Sequence, residues 1–143
     1  MAVYFISAID TDAGKSYATG FLARELTQKG NRTITQKFIQ TGNVGHSEDI
    51  DLHRRIMGIP QKFIQTGCVG ISEDILKHRE IMGIPPQEVD KDGTTCPYVM
   101  TYPASPHLAA EIDRVEIDVE RIHRSTEKLD AAYDVVLLEG AGG

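Results

Sequence analysis

The sequence predicts an α/β fold with a mainly parallel sheet and flanking helices. Two short apolar runs, at residues 3–6 and 134–138, are typical of buried strands. Segments with helical periodicity lie between these runs. Strands that alternate with helices favour right-handed βαβ connections, which make neighbouring strands parallel.

The N-terminal elements follow in the order strand, loop, helix, strand. Residues 3–6 predict a strand buried on both faces, and residues 10–14 predict a polar turn. A helix begins at Lys15, where the apolar pattern takes a helical period, and ends at Gly30. Residues 32–39 alternate between polar and apolar side chains and predict a second strand. The apolar stripe of the helix is expected to contain Ala18, Phe21, Leu22 and Leu26.

The C-terminal third predicts two helices and a strand. Ser105 followed by Pro106 is typical of a helix start. The first helix is expected to run through His107, Leu108 and Ile112, and the stripe of the second to contain Val119, Ile122, Thr126 and Leu129. The strand at residues 134–138 leads into the glycine loop 140–143 with no helix after it. We therefore expect a domain that is truncated after that loop.

Composition excludes several classes of protein. With 41% hydrophobic and 25% charged residues among 143, the chain is typical of one soluble globular domain. Its formal charge of −6 leaves no cationic surplus for a nucleic acid backbone. The apolar stretch at residues 3–9 is far shorter than the roughly 20 residues that cross a bilayer. Cys68 and Cys96 form no disulfide framework or metal-binding pattern, so we expect free thiols in the cytoplasm.

A tandem duplication occupies the centre of the chain. Residues 36–60 and 61–85 agree at 20 of 25 positions, with no spacer between them. Each copy predicts a helix that starts at Ser47 or Ser72 and ends at a Gly-Ile-Pro sequence. Two copies are too few for a stacked repeat array.

The two copies cannot both supply the strand beside the first one. The first copy continues directly from residues 31–35, whereas the second follows Pro60, which lacks an N–H donor. We therefore expect Lys37 in the sheet. His53 and His78 are expected at the surface. The second helix is the more amphipathic, with Ile75, Arg79 and Met82 on one stripe and Lys77 outward.

The segment between the first strand and the first helix, residues 7–16, predicts a phosphate-binding loop. Backbone N–H groups at a helix N-terminus attract phosphate, while Lys15 supplies positive charge and Ser16 a hydroxyl for Mg²⁺. The strict glycine-rich pattern fails, because Ile9 occupies the position of its first glycine. The alternative is a helix that merely starts with Gly-Lys-Ser. On the first interpretation, residues 1–143 form a single, partial P-loop nucleotide-binding domain.

Four motifs in this order resemble dethiobiotin synthetase, a P-loop enzyme family of biotin synthesis. They are Asp10-Thr11-Asp12-x-Gly14-Lys15-Ser16, then Lys37, then Ser-Pro-His at 105–107, then Glu-Gly-Ala-Gly-Gly at 139–143. The family's loop has five residues between its glycines, so the missed strict pattern is expected, and Ala8 stands at the first of them. The resemblance covers the whole chain except one repeat copy, and the N-terminal part of a typical member.

The resemblance implies an ATP- and Mg²⁺-dependent enzyme. The family joins CO₂ to 7,8-diaminopelargonic acid, ATP phosphorylates the carbamate, and the second amine closes a cyclic urea with loss of phosphate. Such a reaction needs cations around an anionic transfer centre. The implied partners are these small molecules and a second copy of the full-length chain in a homodimer, with no nucleic acid and no membrane.

The resemblance also assigns roles to residues. The catalytic residues are Lys15 and Lys37, the latter with its duplicate Lys62 as the alternative, and Thr41 or Thr66 binds the diamine. The nucleotide site comprises Thr11, Asp12, Ala13, Gly14, Lys15, Ser16, Glu139 and Gly142. The metal ligands are Ser16, Glu139 and either Asp74 or Asp49, with Asp74 favoured. Mg²⁺ prefers such oxygen ligands.

Structural roles are the alternative for several of these residues. Asp49 and Asp74 would each stabilise a helix N-terminus. Lys37 would also suit a solvated strand position, and His107 a helix cap. Glu139 is harder to explain structurally, because it ends a buried strand at the edge where ligands of α/β sheets bind.

Three other functions are compatible with the phosphate loop. A ParA-type partition ATPase would carry a lysine five residues before the loop lysine, where this chain has Asp10. A P-loop amidoligase would usually carry a glutaminase domain, for which the chain has no room. A noncatalytic nucleotide-binding fragment is the third, and the duplication and expected truncation favour it.

Overall fold

The computed structural model describes residues 2–10, 13–42 and 70–141. Its strands are β1 (Ala2–Ile6), β2 (Thr33–Lys37), β3 (Ile39–Gln40), β4 (Tyr98–Val99) and β5 (Val135–Glu139). Its helices are α1 (Lys15–Gln28), α2 (Glu73–Met82), α3 (Glu88–Lys91), α4 (Pro106–Asp113) and α5 (Val119–Ala132).

A parallel sheet with the strand order β1-β5-β2 lies at the centre of the described part of the chain. In its register Ile6, Glu139 and Lys37 lie side by side, so the carboxyl ends of all three strands reach the same edge. Strands β3 and β4 form a separate parallel pair. The predicted α/β class, with a parallel sheet and flanking helices, is confirmed.

Helices cover both faces of this sheet, and the alternating side chains of β5 show which helices pack on each face. Val135 and Leu137 pack with Ala23 of α1 and Met82 of α2. Val136 and Leu138 pack on the opposite face, with Leu129 of α5. Because side chains alternate along a strand, Glu139 follows Leu137 onto the face that α1 and α2 cover.

Strand β1 differs from the expectation of burial on both faces. Val3, Tyr4 and Phe5 are 45%, 55% and 61% exposed. Strand β1 lies at an edge of the described sheet, beside β5 alone. Strand β2 lies at the other edge but is buried throughout, because α1 and α2 pack against it.

The stripe predicted for α1 was right only for Leu26, which packs against the core beside Ala23, whereas Ala18 is exposed. Phe21 and Leu22 are exposed, whereas the buried positions of this helix are Lys15, Thr19, Gly20 and Ala23. The close approach of α2 explains the difference, because a Cβ atom at Gly20 would lie only 2.8 Å from Cδ1 of Ile81. The packing of α1 therefore depends on a residue without a side chain rather than on the apolar residues nearby.

The C-terminal helices form as predicted but bury fewer of the expected residues. Ser105 is the N-cap residue of α4 and Pro106 its first residue, yet Leu108 and Ile112 are exposed and the buried pair is Ala109 and Ala110. In α5, Leu129 is buried whereas Val119 is 70% exposed. Small side chains make the α4 contact with the β3-β4 pair. None of the helices in the described ranges is long and apolar enough to cross a membrane.

The central strand should dominate the stability of the fold. Leu137 in β5 is 0% exposed and packs against α1 and α2, so Leu137→Ala leaves a cavity. We expect it to lower the free energy of unfolding by about 2–5 kcal/mol in urea denaturation. The matched change Leu108→Ala, at a position 42% exposed, is expected to cost about 0.5 kcal/mol or less. Equal effects of the two substitutions would contradict this packing.

Candidate functional site

Glu139 is the centre of the polar cluster at the carboxyl edge of the sheet. It ends β5 and is 1% exposed. Its Oε1 accepts a hydrogen bond from Ser16 Oγ at 2.9 Å and lies 3.2 Å from Lys37 Nζ. Its Oε2 lies 2.8 Å from His78 Nε2. Residues from β2, β5, α1 and α2 therefore meet at one carboxylate.

Lys37, the last residue of β2, is held between two carboxylates. Its ammonium donates to Asp74 Oδ2 and to Glu139 Oε1. Burial opposes the charged form of Lys37, but attraction to Asp74 and Glu139 outweighs it and raises its pKa. The same ammonium lowers the pKa of Asp74 against the effect of burial. Lys37 therefore carries its charge in this site.

The loop before α1 presents a helix N-terminus to the same edge. Gly14 is the N-cap residue and has φ of +79°, a conformation that glycine adopts without strain. No side chain of the described residues caps this helix, and such N-termini attract anions. Lys15 is 5% exposed, and its Nζ donates to the carbonyl of Asp10 at 2.8 Å. The first side chain of α1 is therefore buried and bonded to the backbone at the end of the described segment before the helix.

The two repeat copies contribute different parts of the site. Lys37 and Gln40 belong to the first copy, and Ser72 and Asp74 to the second. The hydroxyl of Ser72 caps α2 by accepting from the N–H of Ile75, and it donates to Gln40 Oε1 at 2.8 Å. The strand of one copy thus positions the helix of the other.

Several residues that the sequence singles out lie outside the described residues: Thr11, Asp12, Asp49, Lys62, Thr66 and Gly142. Ala13 is exposed in the loop, and Thr41 is half-buried after β3. His107 is exposed, with Nδ1 3.2 Å from Ser105 Oγ, a contact that belongs to the start of α4.

The surface position predicted for His78 was wrong. This side chain is 0% exposed rather than at the surface, and its two ring nitrogens contact Glu139 and Thr35. Arg79 beside it is also buried and pairs with Asp90. The sequence contained a signal, because His78 follows Asp74 by four residues and so shares its helix face.

The cluster is chemically suited to a magnesium ion bound to phosphate. In the described residues, no group of three or more His, Cys, Asp or Glu side chains could hold a metal ion by itself. The donors present are the Ser16 hydroxyl and the carboxylates of Asp74 and Glu139, between which the Lys37 ammonium lies. Oxygen donors suit Mg²⁺, which usually takes one or two carboxylates together with phosphate oxygens and waters. These residues therefore fit a metal that arrives with a nucleotide.

A parallel α/β sheet with a helix N-terminus, a lysine and a hydroxyl in its first turn, and an acidic strand end beside them defines a P-loop nucleotide-binding domain. The chain belongs to the AAA domain family, whose model matches residues 2–143.

Named relatives are similar to nearly the whole chain. It is 49% identical over 141 residues to the ATP-dependent dethiobiotin synthetase BioD of Chlorobaculum tepidum, covering 99% of this chain and 48% of that protein. It is 47% identical to the ATP-dependent dethiobiotin synthetase BioD 2 of Pasteurella multocida and 45% identical to that of Haemophilus influenzae, over 99% of this chain. These matches cover 54% and 61% of the two relatives. The chain therefore spans about half the length of the relatives it matches.

Because the site takes its strand from one repeat copy and its helix from the other, we predict that 25 residues between them can be deleted. Deleting residues 43–67 joins Gly42 to Cys68 and restores a single 25-residue copy that retains Lys37, Gln40 and Asp74. We expect an equal or higher free energy of unfolding in urea, because a shorter connection loses less entropy on closure.

A second measurement checks that the same site survives the deletion. Asp74→Asn removes a charged partner of Lys37 and should lower the free energy of unfolding by the same amount in the parent and in the deletion variant. Loss of cooperative unfolding on deletion would show that the fold requires both copies.

Proposed function

We propose that this chain carries the nucleotide and magnesium site of an ATP-dependent dethiobiotin synthase. The observation that supports it is the cluster of Ser16, Lys37, Asp74 and Glu139 beside the start of α1. The relatives named for this activity share 45–49% identity with the chain. On this proposal the protein joins CO₂ to 7,8-diaminopelargonic acid and closes the ureido ring through a phosphorylated carbamate.

The phosphates of ATP would be held by the loop and the start of α1. Lys15 supplies positive charge there, and the backbone N–H groups of the first helical turn supply donors. Mg²⁺ would be held by Ser16, Asp74 and Glu139, and when bound it neutralises charge on the phosphates. The remaining predicted contacts, from Thr11, Asp12, Ala13, Gly14 and Gly142, belong to the same proposal.

Lys37 acts as a fixed positive charge on this proposal. Burial opposes its charged form, but attraction to Asp74 and Glu139 raises its pKa and favours the ammonium. A buried ammonium at the strand end stabilises negative charge on the carbamate and on the phosphoryl group during transfer. Asp74 and Glu139 keep this ammonium in place before the substrate arrives.

The remaining features of the proposal concern substrates and assembly. The hydroxyl of Thr41, or of its duplicate Thr66, would bind the diamine. The full-length protein would work as a homodimer in the cytoplasm. Burial raises the pKa of the Cys96 thiol to about 12, so this thiol stays protonated and unreactive.

Nucleotide binding is tested with a pair of lysine substitutions in α1 and at its end. Lys15→Ala removes a charge next to the phosphates and should weaken Mg·ATP binding by roughly 10- to 150-fold, the range of a charged hydrogen bond. Lys29→Ala removes the same charge at the opposite end of the helix and should leave binding unchanged. Isothermal titration calorimetry measures both, and equal affinities would contradict the phosphate loop.

The reaction is tested with the duplicated lysine as a matched control. Because the chain spans about half of the relatives, we would join it to the remaining half of the Chlorobaculum tepidum protein. Dethiobiotin formation from the diamine, bicarbonate and Mg·ATP should fall at least roughly 100-fold in Lys37→Ala, since a preorganised donor contributes about that much. Lys62→Ala should retain full activity.

The possible outcomes separate the competing functions. A fusion that binds Mg·ATP but forms no dethiobiotin would support a noncatalytic nucleotide-binding chain. Amide formation with ammonia instead of ring closure would support an amidoligase. Loss of activity in Lys62→Ala with retention in Lys37→Ala would assign the catalytic lysine to the second copy.

A further inference from the structure

The two oxygens of the Glu139 carboxylate have different surroundings. Oε1 faces the phosphate-loop side, where it contacts the Ser16 hydroxyl and the Lys37 ammonium. Oε2 faces the helix α2 side, where it contacts His78 Nε2 at 2.8 Å. His78 and Glu139 are 0% and 1% exposed, so water does not compete for this contact.

The hydrogen bonds around His78 form a chain in which each group donates to the next, from Arg79 to Glu139. Arg79 can only donate, and its Nη1 donates to Thr35 Oγ1 at 2.7 Å. The Thr35 hydroxyl can then donate its own hydrogen to His78 Nδ1, 2.9 Å away. With Nδ1 as acceptor, the ring proton lies on Nε2 and is donated to Glu139, because an ionised carboxylate only accepts.

This chain of bonds is anchored at its far end by a buried ion pair. Arg79 donates to both carboxylate oxygens of Asp90, at 2.9 and 2.7 Å, and the Thr95 hydroxyl donates to the same carboxylate at 2.7 Å. The guanidinium geometry is therefore fixed by a bidentate pair. The orientation of the His78 ring follows from Asp90 through Arg79 and Thr35.

We infer that His78 is a positioning residue that holds the Glu139 carboxylate through Oε2 and so aims Oε1 at Ser16 and at the bound magnesium. The inference rests on the proposed function for the presence of the metal. His78 contacts Oε2 of the carboxylate, whereas Ser16 contacts Oε1, so His78 acts on the site through Glu139. Side chains that hydrogen-bond to a metal ligand fix the orientation of that ligand, and their loss typically lowers metal affinity by roughly 10- to 100-fold.

The packing of α2 explains why a histidine is suited to this position. Asp74 and His78 lie one turn apart on the same face of α2. Asp74 contacts Lys37 directly, and His78 reaches deeper to the end of β5. One helix therefore supplies an acidic residue to the site and a ring N–H donor that supports the second acidic residue.

Two amide substitutions of His78 distinguish a role in positioning Glu139 from a role in packing α2 on the sheet. In His78→Gln the amide nitrogen lies close to the Nε2 position and can donate to Glu139. In His78→Asn the amide reaches only the Nδ1 position, where it can bond Thr35 but not Glu139. Both variants keep a polar group in the buried site.

The experiment measures Mg²⁺ dependence rather than turnover. The affinity of the full chain for ATP would be measured by calorimetry across Mg²⁺ concentrations and in EDTA, together with urea denaturation. We expect His78→Asn to raise the Mg²⁺ concentration for half-maximal effect by roughly 10- to 100-fold, with ATP affinity in EDTA within twofold of wild type. His78→Gln should restore most of the Mg²⁺ response.

Other results would contradict the positioning role of His78, the magnesium site or the proposed function. Wild-type Mg²⁺ dependence in His78→Asn, or equal losses in both variants, would mean that His78 only packs α2 on the sheet. A wild-type chain that binds ATP without any effect of Mg²⁺ would overturn the magnesium site, and a chain that does not bind ATP would overturn the proposed function. If His78→Asn does not unfold cooperatively, His78→Met, which fills a similar volume without a donor, serves in its place with the same expected result.

Discussion

The burial of one carboxylate at the end of the central strand is the constraint on which the site depends. An ionised carboxylate out of water requires donors, and Glu139 obtains them from three elements: Ser16 of α1, Lys37 of β2 and His78 of α2. Lys37 in turn requires a second anion, which Asp74 supplies. Removing one partner from such a buried ion pair lowers the free energy of unfolding by about 3–5 kcal/mol. The charged contacts therefore help to hold the helices and strands that carry them in place.

The duplication shows how the fold uses two nearly identical segments. The strand that contains Lys37 comes from the first copy, whereas the helix that contains Asp74 and His78 comes from the second. The contact between Gln40 and Ser72 joins the two where the helix begins. In the described residues, the first copy supplies a strand beside β5 and the second copy supplies a helix to the same site.

Much of the candidate site could be predicted because the residues of its motifs lie close together in the sequence. The order of strand, loop, Gly14-Lys15-Ser16 and helix predicts a phosphate site from chemistry alone. Lys37 and Glu139 lie near the carboxyl ends of two predicted strands, so they are expected at one edge once the strands are parallel. The burial of α1 was not predictable in this way, since it depends on how closely α2 approaches Gly20. The role of His78 was missed for a similar reason, because its partners Thr35 and Glu139 are distant in sequence.

The sequence by itself determined the class of fold, the parallel sheet, the loop lysine and hydroxyl, and the acidic residue at a strand end. These follow from periodicity and from turn and cap chemistry, which act between neighbouring residues. The tertiary structure alone decided that Asp74 reaches Lys37, that His78 is buried against Glu139, and that β1 lies at an edge of the described sheet. Those outcomes depend on which elements pack together, and packing is set by contacts between residues far apart in the chain.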